Sequence, residues 1–228
     1  AMSIPFLASE FLAVRKELKR GYDFVNSHWL VPSGLLTAVA CPEKISHVIT
    51  SHAADYDLLR KMPLGKPLIR YMAKKASTVV CVSRRLAEGV KEIAGLDARV
   101  ETLPMGGDME IFHGREGTGK QWIEKMNIRQ GPVVMFAGKL SPKKGVDVLI
   151  RSAAEIINKE GKSINFVIVG EGLLRRSLEN MSRELDIENN VIFTGAIPNK
   201  ELAVLYSAAD VVAVPSVMDP GGESEGMP

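Results

Sequence analysis

Three lysines crowd one short loop. Lys139, Lys143 and Lys144 lie in Gly138-Lys139-Leu140-Ser141-Pro142-Lys143-Lys144-Gly145, directly after the apolar run Val133-Val134-Met135-Phe136-Ala137. Ammonium groups this close repel one another unless an anion joins them. A helix starting near Gly145 adds partial positive charge at the same place. The chemistry favoured is capture of a diphosphate at the carboxyl end of a buried strand, where α/β sheets bind ligands. The plainer alternative is a solvated basic loop. A second turn, Gly170-Glu171-Gly172, follows Val167-Ile168-Val169, and a third strand, Val191-Ile192-Phe193-Thr194, ends at Gly195. Taken singly, each is a tight turn. The second lacks the last glycine of a dinucleotide fingerprint, which disfavours a nicotinamide enzyme.

Other polar side chains also end apolar runs. His52 follows His47 to Thr50, within Ser51-His52-Ala53-Ala54-Asp55, and His28-Trp29 follows Asn26-Ser27. A histidine at such a place serves either as a structural residue or as a ligand-facing one. Trp29 offers a flat apolar face to a sugar or lipid, or simply packs. The chain closes on Pro215-Ser216-Val217-Met218-Asp219-Pro220-Gly221-Gly222-Glu223-Ser224-Glu225-Gly226-Met227-Pro228. Preceded by Ala209 to Val214, this segment reads as a buried strand running into a Pro/Gly-rich acidic loop.

The elements that must position these groups alternate along the chain. Strands are expected at Tyr22 to Ser27, Val48 to Ser51, Thr78 to Val82 and Arg99 to Leu103. They resume at Val133 to Ala137, Ile164 to Val169, Val191 to Thr194 and Asp210 to Val214. Helical stretches lie between, at Pro67 to Lys75, Arg84 to Ile93, Val146 to Lys159, Leu173 to Leu185 and Lys200 to Ala208, with an amphipathic Phe11 to Leu18 before them all. This is the pattern of parallel sheets covered by helices on both faces. A polar interval containing the helix-like Gln121 to Met126 separates two blocks. The expected division is 1–113, a linker 114–131, and 132–228.

Composition narrows the classes. A hydrophobic fraction of 46% supports a globular core, and a net charge of +2 argues against a nucleic-acid binder while leaving room for local phosphate sites. No stretch reaches the ~18 apolar residues of a membrane span. The first residues do not resemble a signal peptide. Cys41 and Cys81 read as buried thiols in a reducing compartment, without metal-ligand spacing. Two motifs mislead. Gly114-Arg115-Glu116-Gly117-Thr118-Gly119-Lys120-Gln121 nearly spells a P-loop, but Gln121 stands where Ser or Thr must bind magnesium, and the preceding Met109 to Phe112 makes a poor strand. Asp55-Tyr56-Asp57 spells Asp-x-Asp, a three-residue pattern common by chance.

The loops taken together, in their order and spacing, resemble the family 4 retaining, sugar-nucleotide-dependent glycosyltransferases, which have the GT-B fold. Gly138 to Gly145 is similar to their Gly-Arg-Leu-x-x-x-Lys-Gly loop, with Lys139 in place of the arginine. That exchange keeps the charge and loses bidentate geometry. His52 and Asp55 match a His-x-x-Asp segment. Leu103-Pro104-Met105-Gly106-Gly107-Asp108-Met109-Glu110-Ile111-Phe112 matches the segment that closes the N-terminal domain, with Asp108 and Phe112 read as structural. Glu225 matches the first glutamate of a Glu-x7-Glu motif whose second member would fall beyond Pro228.

The resemblance implies an α/β protein of two Rossmann-like parallel-sheet blocks meeting at a cleft, both incomplete in this chain. It implies donor contacts from Gly138, Lys139, Lys144, Gly170, Glu171, Gly172, Ile197 and Glu225, an acceptor side at His28 and Trp29, and catalytic roles for His52, Lys139, Lys144 and Glu225. It implies no metal and no permanently bound cofactor, with a nucleoside-diphosphate sugar as donor and a sugar, lipid-linked or small-molecule acceptor. A cytoplasmic setting follows, with peripheral contact at the inner membrane face and self-association as open alternatives. A non-catalytic nucleotide-sugar-binding fragment or subunit, and another GT-B enzyme such as a sugar-nucleotide epimerase, also fit these residues. The chain by itself is expected to be inactive or nearly so, with uncovered sheet edges that favour association.

Overall fold

The computed structural model describes residues 4–95, 97–113, 118–126, 128–159, 161–218 and 225–226. The chain forms two compact units, Ala1–Met105 with Gly222–Met227, and Gly106–Gly221 with Pro228.

The first unit is built on four parallel strands in the order β1 (Phe24–His28), β2 (Ser46–Ser51), β3 (Thr78–Cys81) and β4 (Val100–Thr102). Helix α1 (Ile4–Leu18) precedes them, and α2 (Leu35–Ala40) follows a π-type turn at Leu30–Gly34. Two helices, α3 (Ala54–Lys61) and α4 (Gly65–Lys75), link β2 to β3, and α5 (Arg84–Ala94) links β3 to β4. The apolar stripe of α5, Leu86, Ala87, Val90 and Ile93, has helical spacing and is buried. It meets Ile49, Val79 and Cys81 from the strands, with Leu59, Ile69 and Met72 from the preceding helices. Each inner strand therefore ends beneath packed helices, and the chemistry-bearing residues emerge where the strands stop.

The second unit repeats the plan with strand order β7-β6-β5-β8, all parallel: β5 (Val133–Ala137), β6 (Asn165–Val169), β7 (Val191–Gly195) and β8 (Val211–Val212). Every residue of β6 is buried, as a central strand covered on both faces requires. Helix α6 (Thr118–Lys125) leads into the sheet, and α7 (Val146–Ala154), α8 (Arg175–Glu184) and α9 (Asn199–Tyr206) connect its strands.

Several sequence expectations need correction. The strand expected at Asp210 to Val214 shrinks to Val211–Val212 and is not buried: Val211, Val212 and Val214 are exposed. It pairs with β5 on one side, and no other strand among the described residues lies beside it. Helix α1 starts at Ile4, well before Phe11, and α8 starts only at Arg175, with Leu173 before it 96% exposed. The helix after Gly145 loosens into a π-type turn at Glu155–Lys159. Helices α2 and α3 were not foreseen. Met109 to Phe112, judged a poor strand from sequence, is indeed a turn, closed by Asp108. Cys81 is buried, but Cys41 is only half-buried; both are free thiols.

Candidate functional site

In the second unit, three strand-to-helix turns are laced together beyond the ends of their strands. The Gly138 N–H donates to Val169 O (2.9 Å), the Leu140 N–H to Glu171 O (2.9 Å), and the Gly170 N–H to Gly195 O (2.9 Å). The β5, β6 and β7 ladders thus continue into their loops. Gly170 has φ +133°, and a side chain there would strike the Gly138 carbonyl oxygen, so only glycine permits this closeness. The loops border an open cavity of about 420 Å³ lined by Gly138, Lys139, Gly170, Glu171, Ile197 and Tyr206 among others. Five of the residues singled out from sequence therefore share one wall.

The basic loop reaches the same place. After Ser141 the chain makes a 3₁₀ turn, Pro142–Lys144, and Gly145 at φ +63° passes it into α7. Lys139 is exposed and lines the cavity; Lys144 is half-buried. The Lys144 side chain folds back over Gly138, its Cε 3.8 Å from where a Gly138 β-carbon would stand. Val217 N–H donates to Lys143 O (3.0 Å), so the segment after β8 braces this loop from behind. The cavity wall combines the glycine turns and the Lys139 ammonium with the apolar Ile197, Leu202 and the ring of Tyr206. Such a lining offers a cation and backbone N–H groups together with apolar surface.

Glu171 brings a carboxylate to this rim. The Arg175 guanidinium bonds it through Nη1, and bonds Glu179 through Nε at 2.9 Å. It also donates to Phe193 O at 3.4 Å. The hydrogen bond that Arg175 donates to Glu179 is the main reason its pKa is raised, burial opposing it and the charges of Glu171 and Glu179 reinforcing it. Arg175 was not foreseen; its i,i+4 spacing to both Glu171 and Glu179 was the signal in the sequence.

In the first unit, the ends of β1 and β2 converge. His28 Nδ1 lies 2.8 Å from His52 Nε2, and the rings stack at 5.1 Å between centroids. Trp29 leans on His52 at 5.5 Å. The Thr50 hydroxyl donates to Asn26 Oδ1 (3.0 Å), which turns the Asn26 amide nitrogen toward His28 Nε2 (3.3 Å). An amide nitrogen only donates, so His28 Nε2 accepts and the His28 proton sits on Nδ1. That proton goes to His52 Nε2, leaving His52 to carry its own proton on Nδ1. Burial lowers the His52 pKa, the neighbouring His28 lowers it further, and Asp55 opposes both.

Asp55 anchors both loops. Its Oδ2 accepts the Leu30 N–H (2.6 Å), and its Oδ1 accepts the Ser51 hydroxyl (3.2 Å) and the His52 N–H (3.1 Å). These bonds hold Trp29 at φ +77° and Ala53 at φ +93°, conformations that a bulky or β-carbon-bearing residue adopts only under constraint. With its oxygens engaged in this way, Asp55 does not fit the metal-binding reading of Asp55-Tyr56-Asp57. Glu225 and Gly226 belong to this unit. A β-carbon on Gly226 would lie 2.6 Å from the His52 carbonyl oxygen, so the acidic loop comes against the His52–Ala53 backbone. Glu225 Oε1 is shielded from solvent. Of the P-loop-like stretch, Gly114 to Gly117 lie outside the described residues, and Gly119 packs inside α6 against Ala208. No helix among the described residues is long and apolar enough to cross a membrane.

Residues 2–111 match the family model described as Glycosyltransferase Family 4, and residues 120–228 match the model described as Glycosyl transferases group 1. Similar proteins include the D-inositol 3-phosphate glycosyltransferase of Nocardia farcinica, 29% identical over 96% of this chain and 51% of that protein. Another is the GDP-mannose-dependent alpha-(1-6)-phosphatidylinositol monomannoside mannosyltransferase of Mycolicibacterium smegmatis, 30% identical over 89% of this chain and 54% of that protein. The chain thus spans about half the length of these relatives. Among solved structures, sucrose-phosphate synthase from Thermosynechococcus elongatus superposes with a TM-score of 0.75 at 20% identity, covering 95% of this chain and 56% of that one. Anabaena HepE in complex with UDP gives 0.74 at 19% identity, over 95% and 58%. The two parallel-sheet blocks are those of the GT-B fold. The two model matches lie one after the other along the chain, the Family 4 model first and the group 1 model second.

Proposed function

We propose that this chain belongs to a retaining glycosyltransferase that moves a sugar, in the first instance a hexose, from a nucleoside-diphosphate sugar to an acceptor hydroxyl. The observation that carries this reading is the cavity of about 420 Å³ at the laced ends of β5, β6 and β7, lined by the Lys139 ammonium, glycine turns and apolar side chains. The chemical difficulty in such a transfer is the negative charge that builds on the departing diphosphate. Fixed cations and backbone N–H groups stabilise that charge without a metal.

Lys139 and Lys144 are assigned to the diphosphate, with Gly138, Gly170 and Gly172 letting the backbone approach it. Glu171 borders the nucleotide, and Ile197 packs on the base. Glu225 hydrogen-bonds sugar hydroxyls. His52 positions the sugar, while His28 and Trp29 serve the acceptor side. The relatives are named for an inositol phosphate and a phosphatidylinositol mannoside as acceptors. A polyol or lipid-linked sugar acceptor, used in glycan or glycolipid synthesis at the cytoplasmic membrane face, follows by analogy.

The reading is tested by a thermal-shift screen of the chain against UDP-, GDP- and ADP-sugars. Ligands that bind the folded state raise its apparent stability. One nucleotide series should raise the melting temperature, and Lys139→Ala with Lys144→Ala should abolish the rise. A flat response across all three series defeats the proposal.

A further inference from the structure

The turn from Asp108 to Phe112 packs with the second unit although it immediately follows the first. Its shape is fixed internally. Asp108 Oδ1 accepts the N–H groups of Glu110 (3.0 Å) and Ile111 (3.3 Å), and its backbone carbonyl accepts those of Ile111 (3.2 Å) and Phe112 (2.9 Å). This knot presents the Phe112 ring to Tyr206 on α9, with centroids 6.0 Å apart and planes at 69°, the favourable edge-to-face arrangement. Tyr206 has two sides. One lines a cavity of about 270 Å³ shared with Phe112 and Ala203. The other lines the cavity of about 420 Å³, beside Ile197 and Leu202. Tyr206 is therefore the partition between the turn and the apolar lining of the nucleotide pocket, and burial raises the pKa of its phenol.

We infer that Phe112 is a positioning residue for the nucleotide: through the edge of its ring it holds Tyr206 as the wall against which the base packs. This rests on the pocket assignment above and adds a residue that touches no ligand. With the Phe112 ring removed, the cavity of about 270 Å³ opens further and Tyr206 gains room to turn away from the pocket. A wall that must be ordered again on binding costs affinity.

The test is calorimetry of the full chain with UDP, GDP and ADP, alongside thermal melts. Phe112→Ala should weaken the preferred nucleotide about fivefold, in keeping with the strength of an aromatic pair, and Phe112→Tyr should return to within about twofold of the unaltered chain. Ile187→Ala, a core change in the same unit at a fully buried position, should lower the melting temperature at least as much yet leave the dissociation constant unchanged. If Phe112→Ala fails to fold, Phe112→Leu, which keeps bulk without the ring edge, takes its place with the same expected loss. Unchanged affinity in the ring-deleted variant overturns the inference while leaving the pocket standing. So does an equal loss in Ile187→Ala. Failure of the unaltered chain to bind any of the three nucleotides overturns the pocket assignment and the inference together.

Discussion

His28 donates its Nδ1 proton across 2.8 Å to Nε2 of His52, and the two rings stack. A proton added at His52 Nε2 would force two N–H groups to face each other. Replacing His28 with Phe keeps a stacked ring and removes the hydrogen bond and the neighbouring charge. Because His28 is among the causes that lower the His52 pKa, the His52 pKa should rise in His28→Phe. The measurement is the pH titration of the His52 Cε1–H resonance. An unmoved or lowered midpoint would show that the two imidazoles do not sense each other.

His47 supplies a pH dependence of folding. It is 2% exposed, its Nε2 lies 2.8 Å from the Ser27 hydroxyl, and burial lowers its pKa from 6.5 to about 4. A depressed folded-state value means that the unfolded chain takes up the proton first. Stability is thus complete above about pH 6.5 and falls as the pH drops toward 4, by on the order of 3 kcal/mol in full. His47→Gln, which keeps a hydrogen-bonding group of similar size without a titrating ring, should flatten that part of the curve. Urea melts at closely spaced pH values would read it; equal slopes in the two proteins between pH 6.5 and 4 would contradict the assignment.

Much of the second unit was legible because its strands are short apolar runs ended by glycines. Ile164 to Val169 reads as a strand, and Asn165–Val169 is one, central in its sheet and buried throughout. The turns at Gly138, Gly170 and Gly195 announce themselves by residue type, and the structure joins them. What was not legible depends on register and neighbours. His28 meets His52 because β1 and β2 run parallel with His28 opposite Thr50, a pairing that no local pattern states. An apolar run does not say how many strands will flank it, so Val211 and Val212 looked buried and are exposed at an edge. Helix α3 escaped notice because Asp55 and Asp57 are buried in it and blur its apolar stripe. Asp55 matched a motif, but its clamp on both loops required the two strand ends to be side by side.

Gly170 is expected to be the least replaceable glycine of the second unit. Alanine there meets two costs: a backbone at φ +133°, and a β-carbon driven into the Gly138 carbonyl. Together these should cost about 3 kcal/mol or more. Gly161 separates the two terms, since it has φ +65° with nothing within 4 Å of a β-carbon. Gly161→Ala should cost only the left-handed backbone penalty, roughly 1–2 kcal/mol. Chemical denaturation of both variants gives the comparison. Equal losses would mean that the β6 turn does not lie against the β5 turn as described.

Lys144 is expected to matter for the nucleotide far more than for the fold. Its side chain lies over Gly138, beside the cavity that Lys139 lines. A charge-assisted contact to phosphate lost on Lys144→Ala should weaken nucleoside-diphosphate binding by roughly 1.5–3 kcal/mol, about ten- to a hundredfold. The effect on stability should stay below about 1 kcal/mol, as for other partly exposed charges. Lys144→Arg keeps the charge and should recover most of the affinity, whereas Lys144→Gln should not. The loss should also shrink as salt is raised, since screening weakens the contact in the unaltered chain. Calorimetry at two ionic strengths measures both effects. Full affinity in Lys144→Ala, with the fold intact, would take Lys144 out of the site and leave Lys139 as the cation that meets the phosphates.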